Sequence, residues 1–472
     1  MKRTKIVCTI GPRTESAEGI RALVEAGMDV ARLNGSHNSL DWHAATIARI
    51  RKVAPHVPIL LDIPGRKIRT AQLAHEPTFA IGDMIILTTD TSHDGRHKVP
   101  VNYAGLHKDL RADNVILADD GTLRFVVEKV DGRDIHCRAE TGGQLKSCKG
   151  INVPFVKLQT AMVTDRDRNM MKFARENGVD FIGLSFVESA EHVEEIRALA
   201  GGDRPRIVSK IENQGGLDHM DEIIATTDAV MIDRGDLSVE TNLENLSLFQ
   251  KRIIQAGRRA GKPVIVATEM LHSMIASPVP TKAEVSDISN AVLDGCSATM
   301  LSGETAVGEY PFDAVGTMRK VADAAAAYLY DDRQEGHGPA AVPQAVGEAI
   351  ALMCRSLPIT KIVAVTRSGY AAREIASRQP RQPILAVSDD AYAARSFNLL
   401  AGVEGIHVDV PFSRTSTDHI VKCLERLWRD GRLEESDMVL VSAVGYPRSG
   451  NRMNLLQTHV IGDLAETLSW RK

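Results

Sequence analysis

This sequence has few aromatic side chains, a nearly balanced charge and no long apolar run. Only 4% of its 472 residues are aromatic, and 57 basic residues face 61 acidic residues, which gives a formal net charge of −4. A balanced charge provides no attraction to nucleic acid or to an anionic membrane, and few aromatic rings are available to stack on bases. No apolar run reaches the roughly 20 residues that a membrane-spanning helix needs. We therefore predict that the protein binds neither nucleic acid nor membrane.

Paired cysteines and a secretion signal are missing as well. The six cysteines are scattered, with neither a C-x-x-C pair nor the spacing of a metal site, so we expect reduced thiols. The basic residues at 1–5 precede a short apolar run, which Gly11-Pro12 ends too early for a signal peptide. The sequence therefore predicts a cytoplasmic protein.

What the sequence does contain is a series of short apolar runs with helical patterns between them. Near-continuous apolar strands that alternate with helices are typical of a parallel sheet covered on both faces. Eight such units favour a closed (β/α)8 TIM barrel over an open doubly wound sheet, and neither a G-x-G-x-x-G nor a P-loop motif supports the open sheet. The eight runs are Lys5–Ile10, Asp29–Leu33, Val57–Leu61, Phe181–Phe186, Arg206–Ile211, Ala229–Ile232, Val264–Ala267 and Ala298–Leu301.

The long connection between the third and fourth runs has a different pattern. Short apolar segments such as Ile85–Leu87 and Phe125–Val127 are separated by Gly-Asp, Asp-Gly and Gly-Gly, which is the punctuation of all-β structure. We interpret residues 69–153 as an inserted β-barrel domain. Residues 1–68 and 154–332 would then form the barrel, and the insertion at its catalytic edge would act as a lid.

The C-terminal part of the chain reads as a separate domain. Residues 331–339 are polar and contain Gly and Pro, as a linker would. Beyond them, residues 340–472 alternate strand-like and helical patterns and predict a three-layer α/β domain. Its strand-like runs are Ile362–Thr366, Ile384–Val387, Ile406–Val410 and Val439–Ser442.

The stretch from Ser209 to Glu240 carries the clearest chemical signal. Its first apolar run leads into Lys210 and Glu212, and its second leads into Asp233-Arg234-Gly235-Asp236. The C-terminal ends of barrel strands meet at one face, where the active sites of such barrels lie. Glu212 and Asp236 would there share a hard divalent cation, with basic groups beside it for a substrate that carries phosphate and carboxylate.

Several long motifs, in a fixed order along essentially the whole chain, resemble the pyruvate kinase family. They are VARLNGSH at 30–37, KGINVP at 149–154, SKIEN at 209–213, the M-x-x-RGDL-x-VE pattern at 231–240, GKPV-x-VAT-x-ML at 261–271 and MLSGETA-x-G-x-YP at 300–311. The resemblance implies an enzyme of glycolysis that transfers the phosphoryl group of phosphoenolpyruvate to ADP, giving pyruvate and ATP. It also implies Mg²⁺ or Mn²⁺ as cofactor and a homotetramer.

Carried over position by position, the resemblance assigns roles to residues of this chain. Glu212 and Asp236 would bind the metal, and Lys210 would stabilise the phosphoryl group in flight. Arg32 and Ser185 would bind the phosphate of the substrate. The backbone amides of Gly235 and Asp236 would bind its carboxylate, and Thr268 would lie near the enolate. Asn34, Arg69 and Lys149 would bind the nucleotide. The group that protonates the enolate stays open between Ser302 and a water held near Thr268 and Ser302.

The third barrel strand departs from the family pattern. Many members bind potassium with oxygens at the positions of Asn34, Ser36, Asp62 and Ile63, but Ile63 has no side-chain oxygen. Lys67 stands where the family often has glutamate, and a tethered ammonium can replace a mobile monovalent cation. We therefore predict activity that is independent of potassium.

Four further departures affect the surroundings of the site. Asp233 replaces a small residue beside the amides expected to bind the carboxylate, so we expect it to repel an anion. Gly35, Glu269 and Lys282 replace a phenylalanine, a glutamine and an arginine. These changes bear on substrate affinity but leave the expected catalytic groups in place.

A loop of the C-terminal domain is a candidate effector site. Thr366, Arg367, Ser368 and Gly369 follow a predicted strand, and such a strand–turn–helix can bind phosphate. Arg448, in a later loop, would add a cation. A phosphorylated metabolite is the expected effector, and the alternative is that this loop is only a structural turn.

Two other function classes remain open at this point. A Mg²⁺-dependent enolate lyase or aldolase on the same barrel would keep Glu212 and Asp236 but would not need Arg69 and Lys149. A non-catalytic metabolite sensor is the other alternative, because of Asp233 and the divergent third strand.

Overall fold

The computed structural model describes residues 4–119, 121–156, 158–159, 161–328, 342–413, 416–444 and 453–470. Its first strands and helices alternate, and each strand is buried along nearly its whole length. Hydroxyl side chains start the helices: Ser16 accepts the backbone N–H of Gly19, and Ser39 accepts that of Trp42. These elements are β1 (Lys5–Thr9), α1 (Ala17–Ala26), β2 (Val30–Asn34), α2 (Leu40–Val53) and β3 (Ile59–Ile63).

An inserted domain follows β3. It comprises β4 (Ile68–Arg69), β5 (Thr78–Phe79), β6 (Met84–Thr88), β7 (Val99–Pro100), α3 (Leu106–Asp109), β8 (Val115–Ala118), β9 (Leu123–Asp131), β10 (Asp134–Ala139), β11 (Gly143–Gln144) and β12 (Gly150–Asn152). Seven strands form one sheet in the order β4-β12-β8-β9-β10-β6-β7, and β5 pairs with β11. A bridge between Thr70 and Val101 joins the two edges, so the sheet curls around its own apolar core.

The chain then returns to the barrel. The remaining elements are α4 (Asp165–Glu176), β13 (Phe181–Leu184), α5 (Ala190–Ala200), β14 (Arg206–Ile211), α6 (Gln214–Asp218), α7 (Met220–Thr226), β15 (Ala229–Asp233), α8 (Arg234–Glu240), α9 (Leu246–Arg259), β16 (Val264–Ala267), α10 (Lys282–Asp294), β17 (Ala298–Leu301), α11 (Gly303–Ala306) and α12 (Pro311–Tyr328). Short 3-10 turns lie at Leu243–Asn245 and His272–Ile275. The eight parallel strands close in the order β1-β17-β16-β15-β14-β13-β3-β2.

Two apolar layers hold the barrel together. One row of strand side chains points outward and packs against the helices in a large buried cluster. The other row fills the barrel itself, because successive residues of a strand point to opposite faces. This interior layer consists of Val7, Val30, Leu60, Phe181, Val208, Ala229, Met231, Ile265, Ala267, Ala298, Met300 and, from the C-terminal domain, Leu399.

The C-terminal domain is a five-stranded sheet between two helical layers. Its elements are α13 (Val342–Ser356), β18 (Lys361–Val365), α14 (Tyr370–Ala376), β19 (Ile384–Ser388), α15 (Ala391–Phe397), β20 (Val403–His407), α16 (Asp418–Arg429), β21 (Met438–Ala443), β22 (Leu455–Val460) and α17 (Ile461–Thr467). The strand order is β20-β19-β18-β21-β22, and only the pairing of β22 with β21 is antiparallel. Separate apolar clusters lie on the two faces of this sheet.

The C-terminal domain contacts the end of the barrel opposite to the inserted domain. Leu399 is 1% exposed and belongs to the interior layer of the barrel. The hydroxyl of Tyr392 donates to the carbonyl of Asp180 at 2.7 Å, and Lys5 Nζ donates to the carbonyl of Val403 at 2.6 Å. The domain therefore covers the N-terminal ends of the barrel strands.

The predicted fold class, a (β/α)8 barrel with an inserted β-domain and a C-terminal α/β domain, is confirmed. The structure adds detail that the sequence pattern missed. The third strand of the C-terminal sheet begins at Val403 rather than Ile406, directly after Gly402, whose positive φ of 68° makes the turn. The edge strand β22 was not predicted, and half-exposed edge strands give a weak apolar signal. The linker prediction, 331–339, lies outside the described residues, among which no helix has the length and apolar character needed to cross a bilayer.

Candidate active site

Four barrel strands turn a charged side chain inward just above the apolar interior layer. On β2, β3, β14 and β15 the residue two places after an interior residue is charged, and strand alternation points it to the same side. These residues are Arg32, Asp62, Lys210 and Asp233. All four are at most 6% exposed. We call this group the charged layer, and it forms the floor of the candidate site.

Arg32 is fixed within the charged layer by its neighbours. Its Nη2 and Nε donate to Asp62 Oδ2 at 2.7 and 3.2 Å, and its Nη1 donates to Thr9 Oγ1 at 3.1 Å. The other carboxylate oxygen, Asp62 Oδ1, is buried and has no hydrogen-bond partner among the described residues. A guanidinium held in this way is pre-oriented for an anion such as phosphate.

The neighbouring strand β13 leaves room for this ion pair because it has a glycine there. A Cβ atom on Gly183 would lie only 2.0 Å from Asp62 Oδ1. Any side chain at position 183 would therefore displace the carboxylate that orients Arg32.

Lys210 is the most enclosed cation of the site. Its Nζ lies 2.9 Å from Asp233 Oδ2, 3.0 Å from Glu212 Oε2 and 3.7 Å from Asp62 Oδ2. It also donates to Ser185 Oγ at 3.3 Å. Burial alone would lower the pKa of Lys210, but the three carboxylates outweigh burial and raise it well above its usual value. The ammonium therefore stays charged.

Three carboxylates come together beside Lys210. Glu212, Asp233 and Asp236 each offer an oxygen, and these oxygens lie within 4.8 Å of one another. Glu212 Oε1 accepts the backbone N–H of Phe186 at 2.7 Å. Burial, together with repulsion from Asp233 and Asp236, raises the pKa of Glu212 to about 8 despite Lys210. Asp233 is equally buried, yet the charge of Lys210 lowers its pKa to about 2.

This donor set fits a hard divalent cation. Mg²⁺ and Mn²⁺ prefer carboxylate oxygens, and the cluster supplies three in a space that one ion spans. The repulsion that raises the pKa of Glu212 would be relieved by a bound cation. The expected ligands Glu212 and Asp236 are thus adjacent, and Asp233 joins them.

Lys67 reaches the same cluster from the inserted domain's side. Its Nζ lies 2.5 Å from Asp236 Oδ1, and its Cε is 3.1 Å from where a Cβ on Gly150 would stand. Burial would lower the pKa of Lys67, but Asp236, Glu212 and Asp233 raise it. A second permanent ammonium therefore sits on a predicted metal ligand.

The four residues expected around a monovalent ion lie on β2 and β3 and in the turn after β2. Asn34 Oδ1 accepts the backbone N–H of Ser36 at 3.1 Å, and the carbonyl of Ile63 accepts the hydroxyl of Ser185 at 2.9 Å. Asp62 is engaged by Arg32. Lys67 contacts Asp236 at the start of α8 instead of these oxygens, so its charge enters the site from the metal side.

Thr268 lies where β16 ends, in a left-handed backbone conformation. Its φ is 69°, and that of Glu269 is 55°. Thr268 Oγ1 accepts the backbone N–H of Gly235 at 2.8 Å and donates to the carbonyl of Ala267 at 2.6 Å. The amide of Gly235, expected to bind a carboxylate, is thus already engaged by Thr268.

Ser302 begins α11 at the end of β17. Its backbone N–H donates to Glu304 Oε2 at 2.8 Å, while its Oγ is buried and has no hydrogen-bond partner among the described residues. Its hydroxyl therefore keeps its hydrogen-bonding capacity, whereas that of Thr268 is in use.

The predicted nucleotide residues Arg69 and Lys149 sit side by side at the base of the inserted domain. Gly150 pairs with Arg69 between β12 and β4, and the backbone N–H of Thr70 donates to the carbonyl of Lys149 at 2.9 Å. Lys149 Nζ lies 2.6 Å from Asp119 Oδ1, and Arg69 Nη1 donates to the carbonyl of Cys148 at 3.1 Å. Asn34 is on the barrel, at the end of β2.

The candidate effector loop follows β18. The hydroxyl of Thr366 accepts the backbone N–H of Gly369 at 3.1 Å, and the carbonyl of Ser368 accepts Arg373 Nη1 at 2.9 Å. Arg367 is 49% exposed and makes a forked ion pair with Asp389. Its charge is therefore shared with a carboxylate of the same domain. Arg448 lies outside the described residues.

Asp233 has surroundings that the sequence patterns did not predict. They indicated a group that repels an anion, and the structure places it inside the carboxylate cluster and on Lys210. The signal was present: Ala229 and Met231 point into the barrel, so position 233 continues the same row.

Comparison with known proteins gives the same family for both parts of the chain. The family model "Pyruvate kinase, barrel domain" matches residues 1–315, and "Pyruvate kinase, alpha/beta domain" matches residues 344–459. Pyruvate kinases of Sporosarcina psychrophila and Bacillus licheniformis are 40% and 38% identical over 98% of this chain and 81% of their own length. The crystal structure of a pyruvate kinase from Cryptosporidium parvum superposes with a TM-score of 0.86 at 32% identity, covering 98% of this chain and 96% of that one.

Proposed function

This chain belongs to the pyruvate kinase family, and we propose that the charged layer and the carboxylate cluster are its active site. The enzyme is a phosphotransferase of glycolysis whose substrates are phosphoenolpyruvate and ADP and whose products are pyruvate and ATP. The comparisons give no support to a lyase, an aldolase or a sensor. One observation carries the assignment of the site: Lys210 lies buried among three carboxylates with Arg32 in the same layer.

Arg32 and Lys210 handle the phosphoryl group in this proposal. Phosphoryl transfer needs positioned positive charge more than covalent help, because charge spreads over the oxygens in the transition state. Arg32, oriented by Asp62 and Thr9, holds the phosphate of the substrate, and Ser185 assists it. Lys210 then neutralises the charge in flight, and its raised pKa supports its being an ammonium throughout.

Glu212 and Asp236 are the proposed ligands of a divalent cation, Mg²⁺ or Mn²⁺. When bound, that cation would supply Lewis-acid stabilisation of the negative charge that develops during transfer. Asp236 N–H, at the start of α8, is left as the amide for the substrate carboxylate, since Gly235 N–H is engaged by Thr268.

The enolate that remains after transfer needs a proton. The candidates are Ser302 and a water held near Thr268 and Ser302, and Ser302 is the better supported because its Oγ has no partner among the described residues. Thr268 Oγ1 both accepts and donates a hydrogen bond. We assign proton delivery to Ser302, directly or through a water on it, and assign to Thr268 the shaping of the enolate face.

Asn34, Arg69 and Lys149 are proposed to bind the nucleotide phosphates. Arg69 ends β4 and Lys149 directly precedes the partner strand β12 at the base of the inserted domain, so closure of that domain over the barrel would bring both cations to the site together. Lys149 would then exchange Asp119 for phosphate.

Potassium independence is the finer proposal that this chain's own residues support. Ile63 provides no side-chain oxygen for a monovalent ion, and Lys67 holds a permanent charge on Asp236 in the carboxylate cluster. A fixed ammonium beside the metal ligands supplies positive charge that a free monovalent ion would otherwise bring to the site.

The test compares rates in KCl with rates in tetramethylammonium chloride at equal ionic strength. We expect the wild-type rates to agree within a factor of about two, and Lys67→Met, which removes the charge, to lose about tenfold or more. Lys67→Arg is the matched control that keeps the charge. A large loss of wild-type rate in tetramethylammonium would contradict potassium independence without affecting the phosphotransferase assignment.

Three further features belong to the proposal. None of the six cysteines, all of which are among the described residues, is in a disulfide, which agrees with a cytoplasmic enzyme. A homotetramer and a phosphorylated-metabolite effector at Thr366–Gly369 follow from the family resemblance. Arg367 would have to leave Asp389 to bind such an effector.

A further inference from the structure

Asp233 is the last residue of β15 and completes an inward-pointing row. Ala229 and Met231 of the same row lie in the interior layer, so the side chain of Asp233 stands directly above that layer. It is 6% exposed. A buried carboxylate at this place needs a cation, since an uncompensated charge would be costly.

Asp233 has one ammonium group and two other carboxylates close to it. Its Oδ2 lies 2.9 Å from Lys210 Nζ, and one of its oxygens falls within the 4.8 Å cluster with Glu212 and Asp236. The ion pair with Lys210 compensates the buried carboxylate, and the same side chain still offers an oxygen to the cluster.

The two proposed metal ligands are each already paired with an ammonium. Lys67 Nζ lies 2.5 Å from Asp236 Oδ1, and Lys210 Nζ lies 3.0 Å from Glu212 Oε2. Two carboxylates and two ammonium groups have no net charge. A divalent cation that enters such a compensated group would gain little electrostatic attraction.

Asp233 changes this balance. When a metal holds all three carboxylates in their ionised form, they face two ammonium groups, and the formal charges of these five groups sum to −1. Asp233 also gives Lys210 a counterion that remains when Glu212 turns its oxygen to a metal. The third carboxylate thus supplies both a ligand and the charge that the two lysines have cancelled.

We propose that Asp233 is a third carboxylate ligand of the divalent cation, present because Lys67 and Lys210 neutralise the other two. This inference rests on the proposed metal site. Its consequence is a site that binds the cation before any substrate arrives, because the attraction does not depend on substrate phosphate. The same negative charge weakens the hold on phosphoenolpyruvate.

The experiment measures Mn²⁺ binding to the purified enzyme without substrate, from the electron paramagnetic resonance signal of free Mn²⁺. Asp233→Asn keeps size and shape but removes the charge, and Asp228→Asn makes the same change just before the opposite end of β15, where Asp228 pairs with Arg197. We expect the Mn²⁺ Kd to rise at least about tenfold for Asp233→Asn and to stay within about twofold for Asp228→Asn. A Kd for Asp233→Asn within twofold of wild type would overturn the proposal.

Measuring Asp233→Asn in the Lys210→Met variant distinguishes a metal ligand from a residue that only pairs with Lys210. If Asp233 only keeps Lys210 away from Glu212, its replacement has no effect once Lys210 is gone. We expect Asp233→Asn to weaken Mn²⁺ binding in Lys210→Met as well. Loss of the effect in that background would reject Asp233 as a ligand.

Two more variants distinguish failure of this inference from failure of the proposed metal site. Glu212→Gln and Asp236→Asn should abolish Mn²⁺ binding; if they do and Asp233→Asn does not weaken it, only the third ligand is wrong. If Mn²⁺ binds normally to both, the proposed site itself is wrong and the inference falls with it. At saturating Mn²⁺, we also expect Asp233→Asn to lower the KM for phosphoenolpyruvate, and an unchanged or higher KM would count against the repulsion.

Discussion

The barrel and the C-terminal domain each contain an arginine–aspartate pair after or within parallel strands, and the two pairs differ in almost every other respect. Arg32 and Asp62 are 8% and 4% exposed as side chains and share their surroundings with Lys210. Arg367 and Asp389 are 49% and 14% exposed, and the arginine lies at the surface. The geometry of the two ion pairs is similar, but only the first lies in a closed layer of charges.

The difference follows from the topology of the two sheets. A barrel brings the ends of all its strands around one axis, so inward-pointing charges meet and exclude water. The C-terminal sheet is open, so the residues after its strands line an edge that solvent reaches. Equivalent strand-end motifs therefore produce strong, coupled electrostatics in one domain and weak, screened electrostatics in the other.

The largest effect is expected for Lys210→Met. We expect a loss of about 10³-fold in kcat or more, because the buried ammonium acts where water cannot replace it. A coupled assay of pyruvate formation measures the rate, and circular dichroism checks that the fold is kept. A rate near that of wild type would remove Lys210 from its assigned role.

Breaking the buried pair comes next. Asp62→Ala leaves Arg32 without its carboxylate and is expected to lower the free energy of unfolding by about 3–5 kcal/mol. Urea unfolding followed by tryptophan fluorescence measures this. A loss below about 1 kcal/mol would mean that the charged layer is screened like the surface and would break the comparison.

A pH test uses His192, which is buried in the barrel on α5. Burial, with a smaller contribution from Arg66, lowers its pKa to about 4, so the unfolded chain binds the proton first as pH falls. The contribution of neutral His192 to the free energy of unfolding is fully present above about pH 6.5. It decreases as the pH falls, and about 3 kcal/mol of it is lost at pH 4.

His192→Leu should remove that part of the acid sensitivity and move the midpoint of acid unfolding to lower pH. The buried His419 of the C-terminal domain, whose pKa is lowered by burial but raised in part by its hydrogen bond with the carbonyl of Ser416, offers the matched replacement His419→Leu with a smaller shift. Equal shifts for both variants would contradict the proposed difference between the domains.

The smallest effect is expected for the exposed pair. Arg367→Ala should lower the free energy of unfolding by about 1 kcal/mol or less, because solvent and salt screen its interaction with Asp389. Measured in the same urea experiment as Asp62→Ala, it serves as the reference for a pair of the same chemistry. A loss as large as that of Asp62→Ala would show that exposure does not separate the two pairs.

Much of the barrel was predictable because its strands are apolar on both faces. Runs such as Ala229–Ile232 and Val264–Ala267 match the observed strands closely, and the long motifs contain Lys210, Glu212 and Asp236, which the structure brings together. Local sequence is sufficient there, since burial on both faces and strand-end chemistry are local properties.

The contacts between distant elements were not predictable. Lys67 reaches Asp236 across 169 positions of sequence, and the engagement of Gly235 N–H by Thr268 depends on the left-handed turn after β16. The inward row that ends at Asp233 could have been read from its period of two, but its partners could not. Such contacts depend on barrel closure, which no single segment encodes.

The burial of Leu399 has a consequence for how the enzyme can be taken apart. This residue of the C-terminal domain fills the barrel floor, and Tyr392 and Lys5 tie the two domains across the same junction. The C-terminal domain therefore closes the barrel at the N-terminal ends of its strands. A chain cut after α12 would have an open base with apolar side chains wetted, so the catalytic part is not a free-standing module, and the two domains are expected to melt as one cooperative unit.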